Sequence, residues 1–153
     1  MKKLLLLLLI LPTTLLSQTY NELMSIDNLD DFKKVMIENK YELDKVEDDG
    51  RDVYGFGLVK DSINVNGSEK WGSFNKDGSW SLQFNERNTI IYKLGDYDDI
   101  VESIKEKCSY VDIEERNGYD YVSYRCDESE FDGKIGFMIS EGNGYIRYFP
   151  NKE

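Results

Sequence analysis

The stretch GKIGFMISEGNGYIRYF, residues 133–149, decides the fold class of this chain. Apolar residues occupy every second position on both sides of a glycine-rich segment: Ile135, Phe137, Ile139, Ile146 and Tyr148. A period of two places successive side chains on opposite faces of a β-strand. Gly142-Asn143-Gly144 supplies residues that tolerate the backbone of a tight turn. The stretch therefore predicts two antiparallel strands, each with one apolar face.

The same alternation appears in three other segments, at residues 53–59, 79–84 and 121–126. Turn-forming residues lie at Asp48-Asp49-Gly50, Lys76-Asp77-Gly78 and Asn117-Gly118. Two segments instead repeat apolar residues at helical spacing: Phe32, Val35, Met36 and Asn39 in the first, and Ile100, Val101, Ile104 and Cys108 in the second. Asn28 and Asp96 can cap these helices, each of about three turns.

The two halves of the chain align with each other at a spacing of 68 residues. Residues 23–60 match 91–128 without a gap, with seven identical pairs and several shared apolar positions. This predicts an α+β domain of two tandem degenerate repeats, residues ~20–85 and ~88–150. Each repeat would be one helix followed by three or four antiparallel strands. Chance similarity between two acidic helices is the alternative.

Two tandem helix-plus-sheet units in an acidic chain with a cysteine pair resemble the β-lactamase inhibitor protein architecture. The resemblance covers most of residues 20–150 as topology and repeat length. It implies a protein-binding surface on the sheet face that is turned away from the helices. No residue motif of that family is matched, so no binding residue is transferred.

Residues 1–17, MKKLLLLLLILPTTLLS, predict an export signal. A Lys2-Lys3 pair precedes a leucine-rich core, and a small residue, Ser17, precedes the expected cut. The apolar run is shorter than the ~20 residues that a membrane-spanning helix needs. We therefore expect a single domain at residues 18–153 that is exported, either to a periplasm or out of the cell.

The composition excludes several classes of function. Loss of residues 1–17 removes Lys2 and Lys3 and no acid, so the net charge changes from −11 to −13. This charge argues against nucleic-acid and anionic-membrane partners and favours a basic protein partner, a cation or simple solubility. The chain has no histidine, which excludes Ser-His-Asp and Cys-His catalysis. No P-loop or dinucleotide-binding pattern is present, so we expect no cofactor and no enzyme activity.

Cys108 and Cys126 are the only cysteines in the sequence. An even number in an exported chain favours a disulfide over two reduced core thiols. Cys108 ends the second predicted helix and Cys126 ends a predicted strand. The pair should therefore join helix to sheet.

Two acidic clusters could hold a cation or serve a hydrolase: Asp44, Glu47, Asp48, Asp49 and Asp52 in one, and Asp127, Glu128, Glu130 and Asp132 in the other. Neither matches the EF-hand spacing, since a loop with Gly50 at position six would begin at Lys45 and end at Phe56. Solvated acidic turns are the simpler interpretation. A cation or small-ligand site remains an alternative function, and a carboxylate-based hydrolase is a third.

Strand alternation in the second half predicts a binding surface. Val122, Tyr124, Cys126 and the apolar residues at 135, 137, 139, 146 and 148 should face the helix. The opposite face would then carry Tyr119, Tyr121, Arg125, Met138, Tyr145, Arg147 and Phe149. Tyrosine and arginine are typical of binding hot spots, so we predict a binding site at Tyr119, Tyr121, Arg125, Tyr145, Arg147 and Phe149. Two alternatives are that two sheets pack together and bury this face, or that a bulge inverts the assignment. The leading hypothesis is an exported, non-enzymatic interaction module, in its most concrete form an inhibitor or immunity-type protein for a basic partner.

Overall fold

The computed structural model describes residues 18–60, 67–85 and 96–151. Residues 1–17, on which the export-signal prediction depends, lie outside this part of the chain. The described helices are α1 (Tyr20–Met24), α2 (Leu29–Glu38) and α3 (Asp96–Lys107). None of these three helices is long and apolar enough to cross a membrane.

Within the described residues, eight antiparallel strands form one sheet, and the fold class is α+β as predicted. The strands are β1 (Tyr41–Val46), β2 (Asp52–Phe56), β3 (Lys70–Phe74), β4 (Trp80–Phe84), β5 (Ser109–Arg116), β6 (Tyr119–Arg125), β7 (Gly133–Ser140) and β8 (Asn143–Pro150). Their order across the sheet is β1-β2-β3-β4-β8-β7-β6-β5. β1 and β5 are therefore the two edge strands.

Strands β4 and β8 join the two halves of the chain edge to edge. Ser81 pairs with Arg147 and Leu82 with Ile146 across this junction. The alternative of two sheets packed face to face is therefore wrong for the described strands. The bulges lie in edge strands β1 and β5, between Leu43 and Lys45 and between Tyr110 and Asp112. The alternation predicted for β7 and β8 holds without a shift of register.

Helices α2 and α3 pack on the same face of the sheet, which we call the helix face. A Cβ added at Gly72 of β3 would lie 2.5 Å from Met36 Sδ of α2, and one added at Gly144 of β8 would meet the ring of Tyr97 of α3. The apolar residues of this face are buried against the helices: Trp80, Leu82, Phe84, Ile135, Phe137, Ile146 and Tyr148. Ile139, predicted to face the helix, is instead 60% exposed near the end of β7.

The helix boundaries agree partly with the predicted caps. The Asn28 side chain accepts hydrogen bonds from the backbone N–H groups of Asp30 and Asp31, so Asn28 caps α2 as predicted. Asp96 is the first residue of α3, and its carboxylate forms an ion pair with Lys70 of β3. The sequence interpretation missed α1, whose five residues are too few for a periodic pattern, although Thr19 and Glu22 form a capping box there.

Cys108 and Cys126 are disulfide-bonded, as predicted. Cys108 directly follows α3 and Cys126 directly follows β6, with their Cα atoms 4.4 Å apart. Cys126 is buried in the same apolar cluster as the helices. The bond therefore ties the end of α3 to the second half of the sheet.

Candidate functional site: a groove on the open face

We call the sheet face opposite the helices the open face. Strand pairing places two rows of its side chains across the centre of the sheet. One row runs from Trp71 through Gln83 and Tyr145 to Met138, and the other from Val53 through Ser73 and Ser81 to Arg147. Adjacent strands lie ~4.8 Å apart, so the four residues of the first row span ~14 Å. All of them are partly exposed.

A groove with a volume of about 400 Å³ lies over these rows. Its lining continues beyond them to Lys45, Glu47 and Arg51 at one side and to Arg116, Asn117 and Tyr119 at the other. It therefore crosses most of the sheet. Tryptophan, tyrosine, methionine and arginine are the residue types that are enriched where proteins bind one another.

The turn between β5 and β6 fixes one end of the groove. Asn117 and Gly118 have φ angles of 54° and 80°, the pair of positive values that a type I′ hairpin turn requires. Arg116 and Tyr119 are paired directly across this turn. Tyr119 is 48% exposed and is therefore available to a partner.

Tyr121 and Phe149 form a buried aromatic pair on the open face. Their ring centroids lie 5.5 Å apart in an edge-to-face arrangement. Gly136 makes the space for them, because a Cβ there would lie 2.8 Å from Cε2 of Phe149. Tyr121 is 6% exposed and Phe149 3% exposed. Both rings pack beneath the surface of the groove. Tyr121 also contributes to its lining, whereas Phe149 does not.

The guanidinium groups of Arg116 and Arg147 both lie near the Phe149 ring. Each Cζ atom is 5.8 Å from the ring centroid, a distance at which a cation interacts with the face of an aromatic ring. Arg147 also lies beside the Tyr121 hydroxyl. Burial raises the pKa of Tyr121, and the positive charge of Arg147 acts in the opposite direction. Both arginines line the groove.

The six predicted binding residues do not all reach the groove. Tyr119, Tyr121, Tyr145 and Arg147 contribute to its lining, and Phe149 packs beneath it. Arg125 is exposed at the far end of β6, paired with Ser109 of the edge strand, and does not line the groove. The predicted face assignment is thus right for the strands, but the residues have unequal access to solvent.

Several lining residues were missed by the sequence interpretation, above all Trp71 and Arg116. Trp71 lies on β3, whose sequence KWGSF carries glycine where alternation would require a large apolar residue. One signal did point to β3, because the turn at Lys76-Asp77-Gly78 precedes a clear strand and implies a partner before it. Arg116 ends β5, an edge strand with mostly exposed residues and therefore no apolar face.

The acidic clusters make contacts within the chain. Glu47 pairs with Lys45 at 2.8 Å and lies 3.6 Å from Arg51, and Asp52 pairs with Lys33 at 3.2 Å. In the second cluster, Asp132 accepts a hydrogen bond from the Asn151 side chain. Within residues 18–60, 67–85 and 96–151, no group of three or more acidic or cysteine residues is placed to hold a metal ion.

Comparison with protein-family models, with curated proteins and with solved structures gives no match to this chain.

Proposed function

We propose that this chain is an exported, non-enzymatic protein-interaction module that binds its partner with the open face of the sheet. Its most concrete form is an inhibitor or immunity-type protein for a basic partner. The observation that carries the proposal is the groove, in which Trp71, Tyr119, Tyr145 and Arg147 remain accessible while the described helices cover the opposite face. Aromatic and arginine side chains of this kind contribute most of the binding energy in protein interfaces.

The charge of the chain supports a basic partner. A net charge of −11, or −13 without residues 1–17, creates a negative potential that speeds encounter with a cationic protein. The acidic residues need no contact with the partner for this effect. It weakens with salt, because the Debye length falls to ~8 Å at physiological ionic strength.

Export of the chain is part of the proposal. The sequence of residues 1–17 supports it, and the Cys108–Cys126 disulfide is compatible with an oxidising compartment. The partner would then be another exported or cell-surface protein.

We also propose that the two halves of the chain are tandem repeats. Helix α2 precedes β1–β4 and helix α3 precedes β5–β8, and the strand order reverses symmetrically about the β4–β8 junction. In both halves the edge strand carries a bulge against its neighbour. On this view the groove spans the junction of the repeats, where Ser81 pairs with Arg147.

A pulldown with variants of the chain tests the function. Residues 18–153 would be immobilised and exposed at low salt to the secreted and cell-envelope proteins of the source organism, followed by elution with rising salt. We expect a cationic protein that wild type retains and Trp71→Ala and Tyr145→Ala do not. Tyr110→Ala is the matched control, because Tyr110 is 58% exposed but pairs with Tyr124 on the side of the helix face.

Two outcomes would reject the proposal. If the open-face variants retain the same proteins as wild type, the groove is not the binding surface. If retention does not change with salt, electrostatic attraction of a basic partner is excluded.

A further inference from the structure

The groove differs in charge from the rest of the molecule. Its lining contains four cationic residues, Lys45, Arg51, Arg116 and Arg147, and two acidic residues, Asp44 and Glu47. The chain as a whole has 30 acidic and 19 basic residues. The groove thus carries a net positive charge in an acidic protein.

The cationic residues along the groove differ in whether they form ion pairs. At the β1–β2 end, Glu47 contacts both Lys45 and Arg51. Arg147, in the middle of the sheet, and Arg116, at the β5 end, form no ion pair with any carboxylate in the described part of the chain. Arg147 Nε is buried, and the same residues offer it no hydrogen-bond acceptor.

Two acidic residues close to the arginines in the fold or in the sequence, Asp77 and Glu114, have other partners. Asp77 Oδ1 accepts hydrogen bonds from the backbone N–H of Ser79 at 3.0 Å and from the Ser79 hydroxyl at 2.6 Å. These hydrogen bonds lower the pKa of Asp77, and the positive charges of Arg147 and Arg116 lower it further. Glu114, two residues before Arg116, forms an ion pair with Lys134. Arg116 and Arg147 therefore form no ion pair with a carboxylate that the structure describes, although the Tyr121 hydroxyl is hydrogen-bonded to Arg147.

From this geometry we propose that Arg116 and Arg147 form a carboxylate-binding subsite of the groove, which receives an aspartate or glutamate side chain of the partner protein. The inference deepens the proposed function and rests on it. A carboxylate held by two guanidinium groups gains charge-assisted, directional hydrogen bonds. Phe149 fixes both arginines near one ring, so little side-chain freedom is lost on binding.

The occupant is a side chain of a continuing segment, because the groove extends on both sides of Arg147. Towards β1 its lining continues through Ser73 and Trp71, and towards β5 it continues to Tyr119. A bound segment can therefore run across the sheet and place flanking residues on Trp71 and Tyr145. A chain terminus would need no such continuation.

An acidic anchor is consistent with a basic partner. The net charge of the chain acts over long distances and brings a cationic protein close. The arginine pair acts only in contact and fixes the position of one acidic residue on that protein. The two effects differ in salt dependence, since contacts that exclude water are screened less.

A titration followed by nuclear magnetic resonance tests the subsite with a defined probe. The probe is the blocked peptide acetyl-Gly-Tyr-Glu-Tyr-Gly-amide, added to ¹⁵N-labelled residues 18–153. We expect the Nε–H signals of Arg116 and Arg147 to shift and the same peptide with glutamine to bind at least tenfold more weakly. A third peptide, with glutamine in the centre and a free C-terminal carboxylate, tests the other source of the same chemistry.

Arginine variants provide the matched comparison. Arg116→Gln and Arg147→Gln should each weaken binding of the glutamate peptide at least tenfold. Arg125→Gln should leave it unchanged, because Arg125 lies on the same strand as Tyr121 but outside the groove. Equal binding of the glutamate and glutamine peptides, no binding by either, or wild-type binding by Arg147→Gln would overturn the subsite. Binding of the free-terminus peptide alone would overturn the side-chain assignment.

The pulldown distinguishes failure of the carboxylate-binding subsite from failure of the proposed function. If the partner is lost on Tyr145→Ala but retained by Arg116→Gln and Arg147→Gln, the open face binds the partner and the carboxylate subsite is wrong. If all of these variants retain the partner, the proposed function itself fails.

Discussion

The two faces of the sheet carry the two tryptophans of this chain, one on each. Trp80 on the helix face is fully buried between Phe131 and Tyr148, with ring centroids 6.2 and 6.0 Å away. Trp71 on the open face is partly exposed and lines the groove. The helix face buries its large side chains and thereby stabilises the fold. Apart from the buried pair Tyr121 and Phe149, the open face keeps its large side chains at the surface, where they contribute less to stability and are available for binding.

The tryptophan pair gives the largest expected contrast in stability. Trp80→Ala should lower the free energy of unfolding by about 3–5 kcal/mol, because it leaves a large cavity in the core. Trp71→Ala should cost ~1 kcal/mol, since its side chain is already partly hydrated. Urea unfolding of both variants measures the difference, and Trp80→Phe serves if Trp80→Ala does not fold. Equal costs for the two alanine variants would contradict the distinction between the faces.

The disulfide should contribute next most, and it acts on the helix face. It closes a loop of 18 residues, and loops of this size are stabilised by ~3 kcal/mol in the chain-entropy description. The double variant Cys108→Ala/Cys126→Ala should therefore unfold at lower urea concentration than wild type. Hydrogen exchange would show faster opening of α3 than of α2, which has no such link. Uniform loss of protection in both helices would argue that the bond stabilises the whole sheet equally.

The helix face was easier to predict from sequence than the open face, and the reason is physical. A strand with one buried face carries apolar residues such as Ile135 and Ile146 at every second position. The alternation in the sequence therefore indicates which face is buried. β3 breaks the pattern, because Met36 and Phe32 of α2 fill the space above Gly72 and leave no room for a side chain there. The apolar position is thus supplied by another element, which local periodicity does not show.

Residues of the edge strands are difficult to predict from sequence for a different reason. In β5, Tyr110 and Ile113 are more than half exposed and charged residues occur on both sides, so no apolar face appears in the sequence. Arg116 was missed with this strand. The tyrosines and Arg147 were found because β6 and β8 lie inside the sheet and alternate clearly. The sequence did not show the strand pairing that brings residues of β3 and β5 to the same groove.

Alkaline unfolding gives a smaller contrast between the faces. Burial raises the pKa of Tyr41 and of Tyr97 on the helix side above the ordinary value of 10, and the nearby carboxylates of Asp96 and Asp98, respectively, raise it further. These hydroxyls stay neutral in the folded chain and ionise in the unfolded one. Their contribution to stability is therefore complete below pH 10 and is lost as the pH rises above it, by ~1.4 kcal/mol per pH unit for each tyrosine.

Phenylalanine variants measure this dependence. Tyr41→Phe and Tyr97→Phe should each make the free energy of unfolding fall less steeply between pH 10 and 12. Tyr121→Phe on the open face should change the slope less, because the charge of Arg147 counteracts the effect of burial on the pKa of Tyr121. Urea unfolding at pH 8, 10 and 11.5 checks all three. A larger change for Tyr121→Phe than for Tyr41→Phe would contradict the comparison.

The arginine pair should show the smallest effect on stability. Arg116 and Arg147 form no ion pair within the described residues, so their substitution breaks no buried charge pair. It removes their contact with the Phe149 ring and, for Arg147, the hydrogen bond with the Tyr121 hydroxyl. Such a ring contact contributes ~0.5–1 kcal/mol at a partly exposed site. Arg116→Gln and Arg147→Gln should therefore each lower the free energy of unfolding by less than about 1 kcal/mol, measured by urea unfolding at pH 7. Losses comparable to that of Trp80→Ala would show that the arginines hold the sheet together, and the open face would then owe its composition to stability instead of binding.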